Sequence, residues 1–382
     1  MKIAQEILYG TPGTEWKLDA VSAISPQLVL VFASISHFEN PDFLAHLRRL
    51  LPDAQLLGCS TAGEISAQGV STQTVVVTGI RFNSAQFQIV SATLSGMEYS
   101  EQAGRTLAAQ LSRDGLRAVS VFGQGVGING SALIDGIVAE LGQALPVTGG
   151  LAGDNGSFSR TYTLGPAGVS DNQVVALGLY GKNLTFTHGS YGGWRPFGPV
   201  RKVTRCEDNI LYELDGAPAL DIYKKYLGDY AADLPGSGLL FPFEMLSHLR
   251  ESLGQIRTIL GINEQDGSLI LAGSINPDGY LRLMHAQTNE LVDGAETAAS
   301  AALPKDAPET GQALAMLVSC VGRKLVMGGR VDEEVEVVQD LMGSQTVICG
   351  FYSNGEICPG YQLQVCSLHN QTMTISYMAE DM

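Results

Sequence analysis

The stretch Leu56-Leu57-Gly58-Cys59-Ser60-Thr61-Ala62-Gly63-Glu64-Ile65 recurs far down the chain as Ile348-Cys349-Gly350-Phe351-Tyr352-Ser353-Asn354-Gly355-Glu356-Ile357. A looser copy lies between them, Val147-Thr148-Gly149-Gly150-Leu151-Ala152-Gly153-Asp154. In each, an apolar strand end meets a glycine, then a small or polar loop, then a second glycine and a carboxylate. Repetition inside one sequence means repeated structure.

What precedes each copy agrees. Residues 28–35 form a continuous apolar run, the pattern of a strand buried on both faces. Asn40-Pro41 then opens a helix whose apolar face carries Phe43, Leu44, Leu47, Leu50 and Leu51. Residues 55–59 are the next strand, completing a right-handed βαβ unit. The unit restarts at 118–122, 131–141 and 145–148, and again at 312–319, 331–342 and 346–351. Further strands are predicted at 73–80 and 85–94 around an Asn83-Ser84 turn, and at 160–165, 173–180 and 183–189. Helices are predicted at 100–113, 217–227 and 290–303. Residues 257–262, 268–273 and 280–285 read as an antiparallel meander, and strands at 361–368 and 371–378 follow the last copy. The expected fold is α/β of the mixed α+β kind, with mixed sheets covered by helices. Its divisions are an N-terminal segment, 1–24, a first domain, 25–220, and a second, 221–382.

Charge narrows the function. With 23 basic against 39 acidic residues the formal charge is -16, so nucleic acid and anionic membrane surfaces are not expected partners. No apolar run approaches the about 18 residues a bilayer span needs, and residues 1–13 lack a signal-peptide pattern, which points to the cytoplasm. The six cysteines, with no CxxC pair, read as free thiols in a reducing compartment rather than a zinc site.

Gly58–Ile65, with Leu151-Ala-Gly-Asp154 and His188-Gly-Ser-Tyr-Gly-Gly-Trp194-Arg-Pro-Phe-Gly198, resembles the FIST domain. Leu211–Gly216 and Gly350–Ile357 resemble the same family's N- and C-terminal parts, and the resemblance covers roughly residues 25–365. It implies an intracellular sensory module that binds a small ligand. Its stand-alone subset is similar to nitric-oxide-sensing haemoproteins that act on histidine kinases or cyclic-di-GMP enzymes. Haem b is the cofactor so implied.

Three sets of residues are candidates for chemistry. Cys59, Ser60, Glu64, Asp154 and Glu356 lie in the repeated loops. There the carboxylates either line a shared cleft for an amino acid or other small metabolite, or close their own glycine turns by accepting backbone N–H groups. His188 leads into Tyr191, Trp194, Arg195 and Phe197, where glycines allow close approach, rings supply apolar faces and arginines suit propionates, making His188 the candidate iron ligand. Gly123-Gln-Gly125-Val-Gly127-Ile-Asn-Gly130 contains GxGxxG between a strand and a helix, and the alternative it raises is a nucleotide-dependent enzyme. Scattered histidines and the lack of a nucleophile–base motif argue against an enzyme.

Overall fold

The computed structural model describes residues 1–13, 15–305, 312–360 and 365–380. Each repeat proves longer than its βαβ part: strand, helix, strand, helix, strand, hairpin, strand. The first copy runs from strand Lys2–Tyr9 to Thr74–Arg81, the second from Gln86–Thr93 to Gln173–Tyr180. The third opens with Leu184–Tyr191, is interrupted by residues 195–285, then resumes at helix Thr288–Ala302 and closes with Met373–Glu380. The segment 1–24 thus holds the first strand and first helix of a full repeat. The strand expected at 361–368 is observed as Cys366–His369, and 361–364 lie outside the described residues.

Each repeat builds a six-stranded sheet from four strands of its own and a hairpin from another repeat. In the first sheet, Leu28–Ser34 and Gln55–Thr61 pair in parallel, Thr74–Arg81 runs antiparallel beside them, and Lys2–Tyr9 lies outermost. The hairpin after Gln55–Thr61, Glu64–Ser66 with Gly69–Ser71, leaves for the third sheet, where it pairs with Thr346–Ser353. The hairpin Gly355–Pro359 with Cys366–His369 crosses to Val147–Leu151 of the second sheet. The hairpin Thr163–Gly165 with Gly168–Ser170 crosses to Gln55–Thr61 of the first. The exchange is cyclic and closed. It also parts neighbours that read as pairs: 74–81 and 86–93 enter different sheets, as do 173–180 and 184–191.

The continuous apolar strands now have their reason, because each sheet is covered on both faces. The inner faces meet in one core, where Phe32, Phe122 and Phe351, one from each sheet, pack with ring centroids 4.8–6.0 Å apart. The outer faces are covered by each repeat's own helices. Leu47 and Phe43 cover the first sheet, Leu107 and Ile137 the second, and Ala298 and Val338 the third.

Residues 195–285 form a nine-stranded antiparallel sheet. Its central order is Ser252–Arg257, Phe243–Leu246, Tyr280–His285, Arg201–Glu207, Ile210–Leu214, Ser268–Leu271, Ile259–Asn263. The expected meander is broken, since Tyr280–His285 is separated from Ser268–Leu271 by Arg201–Glu207 and Ile210–Leu214 rather than lying beside it. Helix Ala219–Leu227 packs Leu220, Tyr223 and Leu227 on this sheet's own core.

One glycine of the repeated stretch is explained by contact. Gly58, Gly149 and Gly350 stand opposite Val31, Val121 and Leu317 on the parallel partner strands. A Cβ on them would lie 1.8, 2.0 and 1.8 Å from the facing carbonyl oxygen. Gly58→Ala is therefore expected to cost about 3 kcal/mol or more. Gly329→Ala, in open space, stays within about 0.5 kcal/mol of the parent. Urea unfolding midpoints of the two variants test the contrast.

Candidate functional site

The repeated loops do face one another, at one end of the three sheets, where they bond to each other, and neither of the two clefts described below is lined by Glu64, Asp154 or Glu356. Gly153 N–H donates to Ser60 O at 2.8 Å, Ala62 N–H to Tyr352 O at 2.8 Å, and Asn354 N–H to Leu151 O at 3.1 Å. Ser60 is fully buried; its hydroxyl donates to Gly153 O at 2.8 Å and accepts from Tyr162 N–H at 2.9 Å. Cys59 is fully buried too, and burial pushes its thiol pKa well up.

The carboxylates are consumed by the fold. Glu64 accepts from the Thr61 hydroxyl, from Thr74 N–H at 3.1 Å and from Thr74 Oγ1 at 2.8 Å. Glu356 repeats the pattern, accepting from Ser353 Oγ at 2.6 Å, Thr372 N–H at 3.1 Å and Thr372 Oγ1 at 3.0 Å. Each latches its exchanged hairpin to the start of its repeat's closing strand. In the second repeat the latch position is held by Thr163, bonded to Gln173, instead of Asp154. Asp154 caps its own loop, accepting from the N–H groups of Phe158, Ser159 and Arg160 at 2.7–3.2 Å. Burial pushes the Glu64 carboxyl up, and that of Glu356 up to about 8.

A cleft of about 520 Å³ opens elsewhere, between the tripled core and the inserted sheet. Its walls include Tyr191 and Trp194 from the core side, Glu244, Gln255 and Ile256 from the inserted sheet, and His369 from the exchanged hairpin. Trp194 is buried, and its Nε1–H donates to Gln371 O at 2.8 Å. The glycines before it serve a helix: a Cβ at Gly189 or Gly193 would lie 2.1 Å from Ala298 O or Glu290 O of helix Thr288–Ala302. The buried Arg323 guanidinium, paired with Glu334 at 2.7 Å, also donates to Gly192 O and fixes this segment to the third repeat.

The segment's other candidates, His188, Arg195 and Phe197, are not among the residues that line it. His188 is half-buried on strand Leu184–Tyr191, with Nδ1 3.9 Å from Cys358 Sγ, and burial lowers its pKa. Arg195 is exposed and paired with Glu290 at 2.6 Å. Phe197 packs against Phe241 and His285 in the inserted sheet. His369 stands in the stretch Leu368-His369-Asn370-Gln371, whose polar residues read as an exposed turn. It is 2% exposed, its Nε2 lies 2.9 Å from Cys358 O and 3.2 Å from Ser367 Oγ, and burial drops its pKa to about 4, so it is neutral. Glu244, Gln255 and Ile256 carried no motif. For haem the fit is poor: among the described lining residues the imidazole present has its Nε2 committed, and His188 is not among them. All six cysteines are free, and the described residues contain no group of three or more His, Cys, Asp or Glu arranged for a metal ion.

Gly123–Gly130 borders a second, smaller cleft of about 290 Å³ against residues 270–273. Gly125 is forced by the fold, as a Cβ there would sit 1.8 Å from Ala152 O. The helix cap is Asn129, whose Oδ1 accepts from Ala132 N–H at 3.1 Å.

Known proteins bear on the whole chain. Residues 27–217 match the FIST N domain and residues 219–359 the FIST C domain. An uncharacterized protein of Methanocaldococcus jannaschii is 26% identical over 48% of this chain and 37% of its own length. An uncharacterized protein of Mycobacterium tuberculosis is 28% identical over 50% of this chain and 51% of its own. The chain thus spans about half or less of the length of these relatives. A solved cyanuric acid hydrolase from A. caulinodans aligns over 99% of this chain and 98% of its own with 11% identity and a TM-score of 0.35.

The Glu356 latch sets a pH dependence. Its folded pKa, about 8, lies above the ordinary 4.5, so the folded protein holds a proton that the unfolded chain releases between those values. The stability due to this group is complete below the lower value and is lost as pH rises through the upper one. Glu356→Gln removes the titration. Urea midpoints at about pH 5 and about pH 8.5 should differ less in the variant than in the parent; an equal difference assigns the pH dependence to other groups.

Proposed function

The chain belongs to the FIST family, whose domains are sensory, and we propose that it senses a small molecule bound in the cleft between the tripled core and the inserted sheet. The observation that carries this reading is the cleft itself. It is the size of a small-ligand site, walled by aromatic and aliphatic side chains with a few fixed polar groups, and it lies between two separately packed bodies. A ligand there touches both bodies at once. Contacts that join the two bodies lie along it, among them Gln371 Nε2–H to Leu239 O at 2.8 Å and Arg257 Nη1–H to Leu368 O at 3.1 Å. Binding that shifts those contacts changes how the inserted sheet sits on the core, which is a signal a partner can read.

From the family resemblance come a separate histidine kinase or cyclic-di-GMP enzyme as the proposed partner and haem b with nitric oxide as an alternative ligand, one that the cleft's lining fits poorly. The reading assigns the chain no chemical step of its own and places it in the cytoplasm. Among the described residues no helix is long and apolar enough to cross a membrane.

The test is a thermal-shift screen of small metabolites, with a haemin titration read at the Soret band, on the parent and on Ser252→Trp. Ser252 is exposed at the cleft's rim, so the indole fills the cleft without entering a core. A ligand that raises the parent's midpoint by mass action should lose that effect in Ser252→Trp, whose own midpoint stays near the parent's. A ligand effect that survives the substitution moves the site elsewhere. A sharp Soret band that responds to nitric oxide supports haem, and a broad free-haemin spectrum rejects it.

A further inference from the structure

Resting on the cleft being the ligand site, we infer that its ligand carries a carboxylate, received at the Gln255 end of the cleft by the guanidinium of Arg257. Arg257 is 3% exposed, on the last residue of edge strand Ser252–Arg257, directly behind the cleft wall. A guanidinium has five N–H donors and keeps its charge in proteins. Nε–H donates to Ser274 O at 3.0 Å, and the two Nη1 donors go to Ile256 O and Leu368 O, each at 3.1 Å. Among the described residues the Nη2 donors have Gln255 Oε1 alone, at 3.5 Å. The well-bonded edges point into backbone; the poorly bonded edge points to a side chain that lines the cleft.

The charge is equally unanswered. Among the described residues no carboxylate comes within ion-pair distance of Arg257. The carboxylate in the lining, Glu244, is already paired with Arg282 at 2.6 Å. His369, beside Arg257, is neutral. Next to the lining residues Gln255 and Ile256 there is therefore one buried positive charge with no carboxylate partner among the described residues, where a partner is worth most and its absence costs most. Gly273 makes room for it, since a Cβ there would lie 2.9 Å from Nε. A carboxylate that displaces or joins the Gln255 carboxamide gives Nη2 a charged acceptor. The rest of the ligand lies along Leu253, Ile256, Met284 and Trp194, so the class is a small acid with an apolar body.

The probes are phenylacetate, butyrate and succinate, each against its neutral amide, on the full chain by thermal shift and calorimetry. At least one acid should bind and its amide should bind at least about tenfold more weakly. Gln255→Glu keeps Arg257 in place and supplies an internal counter-ion. It should raise the ligand-free midpoint and weaken the acid about tenfold or more. Arg257→Gln should abolish the acid–amide difference; should that variant fail to fold, Gln255→Glu decides alone. Acid and amide of equal affinity, no acid that binds at millimolar concentration, or an unchanged acid affinity in Gln255→Glu overturns the inference. If acid and amide bind equally and both are lost in Ser252→Trp, the cleft reading stands while the carboxylate falls. Acid binding that survives Ser252→Trp sinks the cleft itself.

Discussion

Backbone groups from three distant parts of the chain bond to one another where the sheets meet: Gly153 N–H to Ser60 O, Ala62 N–H to Tyr352 O, and Asn354 N–H to Leu151 O. Everything else is arranged around that junction. An N–H or C=O buried there without a partner costs on the order of 1–3 kcal/mol, so the loops must come together in one register. Small residues let them do so: a Cβ at Gly153 would lie 2.5 Å from Ala62 N and 2.8 Å from Tyr352 O. Once the junction is made, each hairpin can only continue into a neighbour's sheet, and the Glu64 and Glu356 latches hold two of the three in place.

The inserted sheet stands apart from this logic. It has its own core of Leu211, Leu269, Leu281 and their neighbours, and is tied to the tripled part by a few named bonds, including those of Arg257 and Gln371. A rigid, mutually latched body and a lightly fastened one, with a cleft along the seam, is the arrangement in which a small ligand can matter mechanically. The boundary between the two family domains, at residues 217 and 219, falls inside this sheet's territory, at the start of helix Ala219–Leu227. Sequence families and compact bodies therefore divide the chain differently.

Much of this was legible in the residues, and the limits are physical. The parallel strands announced themselves because burial on both faces demands unbroken apolar runs, as at Leu28–Ser34. Repetition marked Glu64 and Glu356 as a pair but left open whether they line a cleft or close their own turns; what each does is tie its hairpin to the closing strand, at Thr74 and at Thr372. What 64–71 does not encode is its destination: a hairpin's local sequence specifies the turn and leaves the partner strand to tertiary packing. Of the strands that open the repeats, the first, Lys2–Tyr9, was missed because, half-buried along most of its length, it lacks a clean alternation. The ring-rich segment pointed to Tyr191 and Trp194, which do line the cleft. The facing wall, Leu253 to Ile256, is an edge strand with no compositional signal. His369 read as a turn residue because its neighbours are polar, and only the exchanged hairpin's seat against the core buries it.

The cyclic exchange also bears on the order in which the molecule can be made. The hairpin at 64–71 is synthesised early, yet its pairing strand, Thr346–Ser353, appears only after the whole inserted sheet. Until then its backbone edge has no native partner, and neither has the strand Val147–Leu151, which awaits residues 355–357. The inserted sheet, built from residues close in sequence, can assemble meanwhile. Non-local pairings of this kind are slow to form and leave strand edges open while they wait. On the ribosome the first sheet has all its strands by residue 170, whereas the second and third stay unfinished until the last repeat closes both.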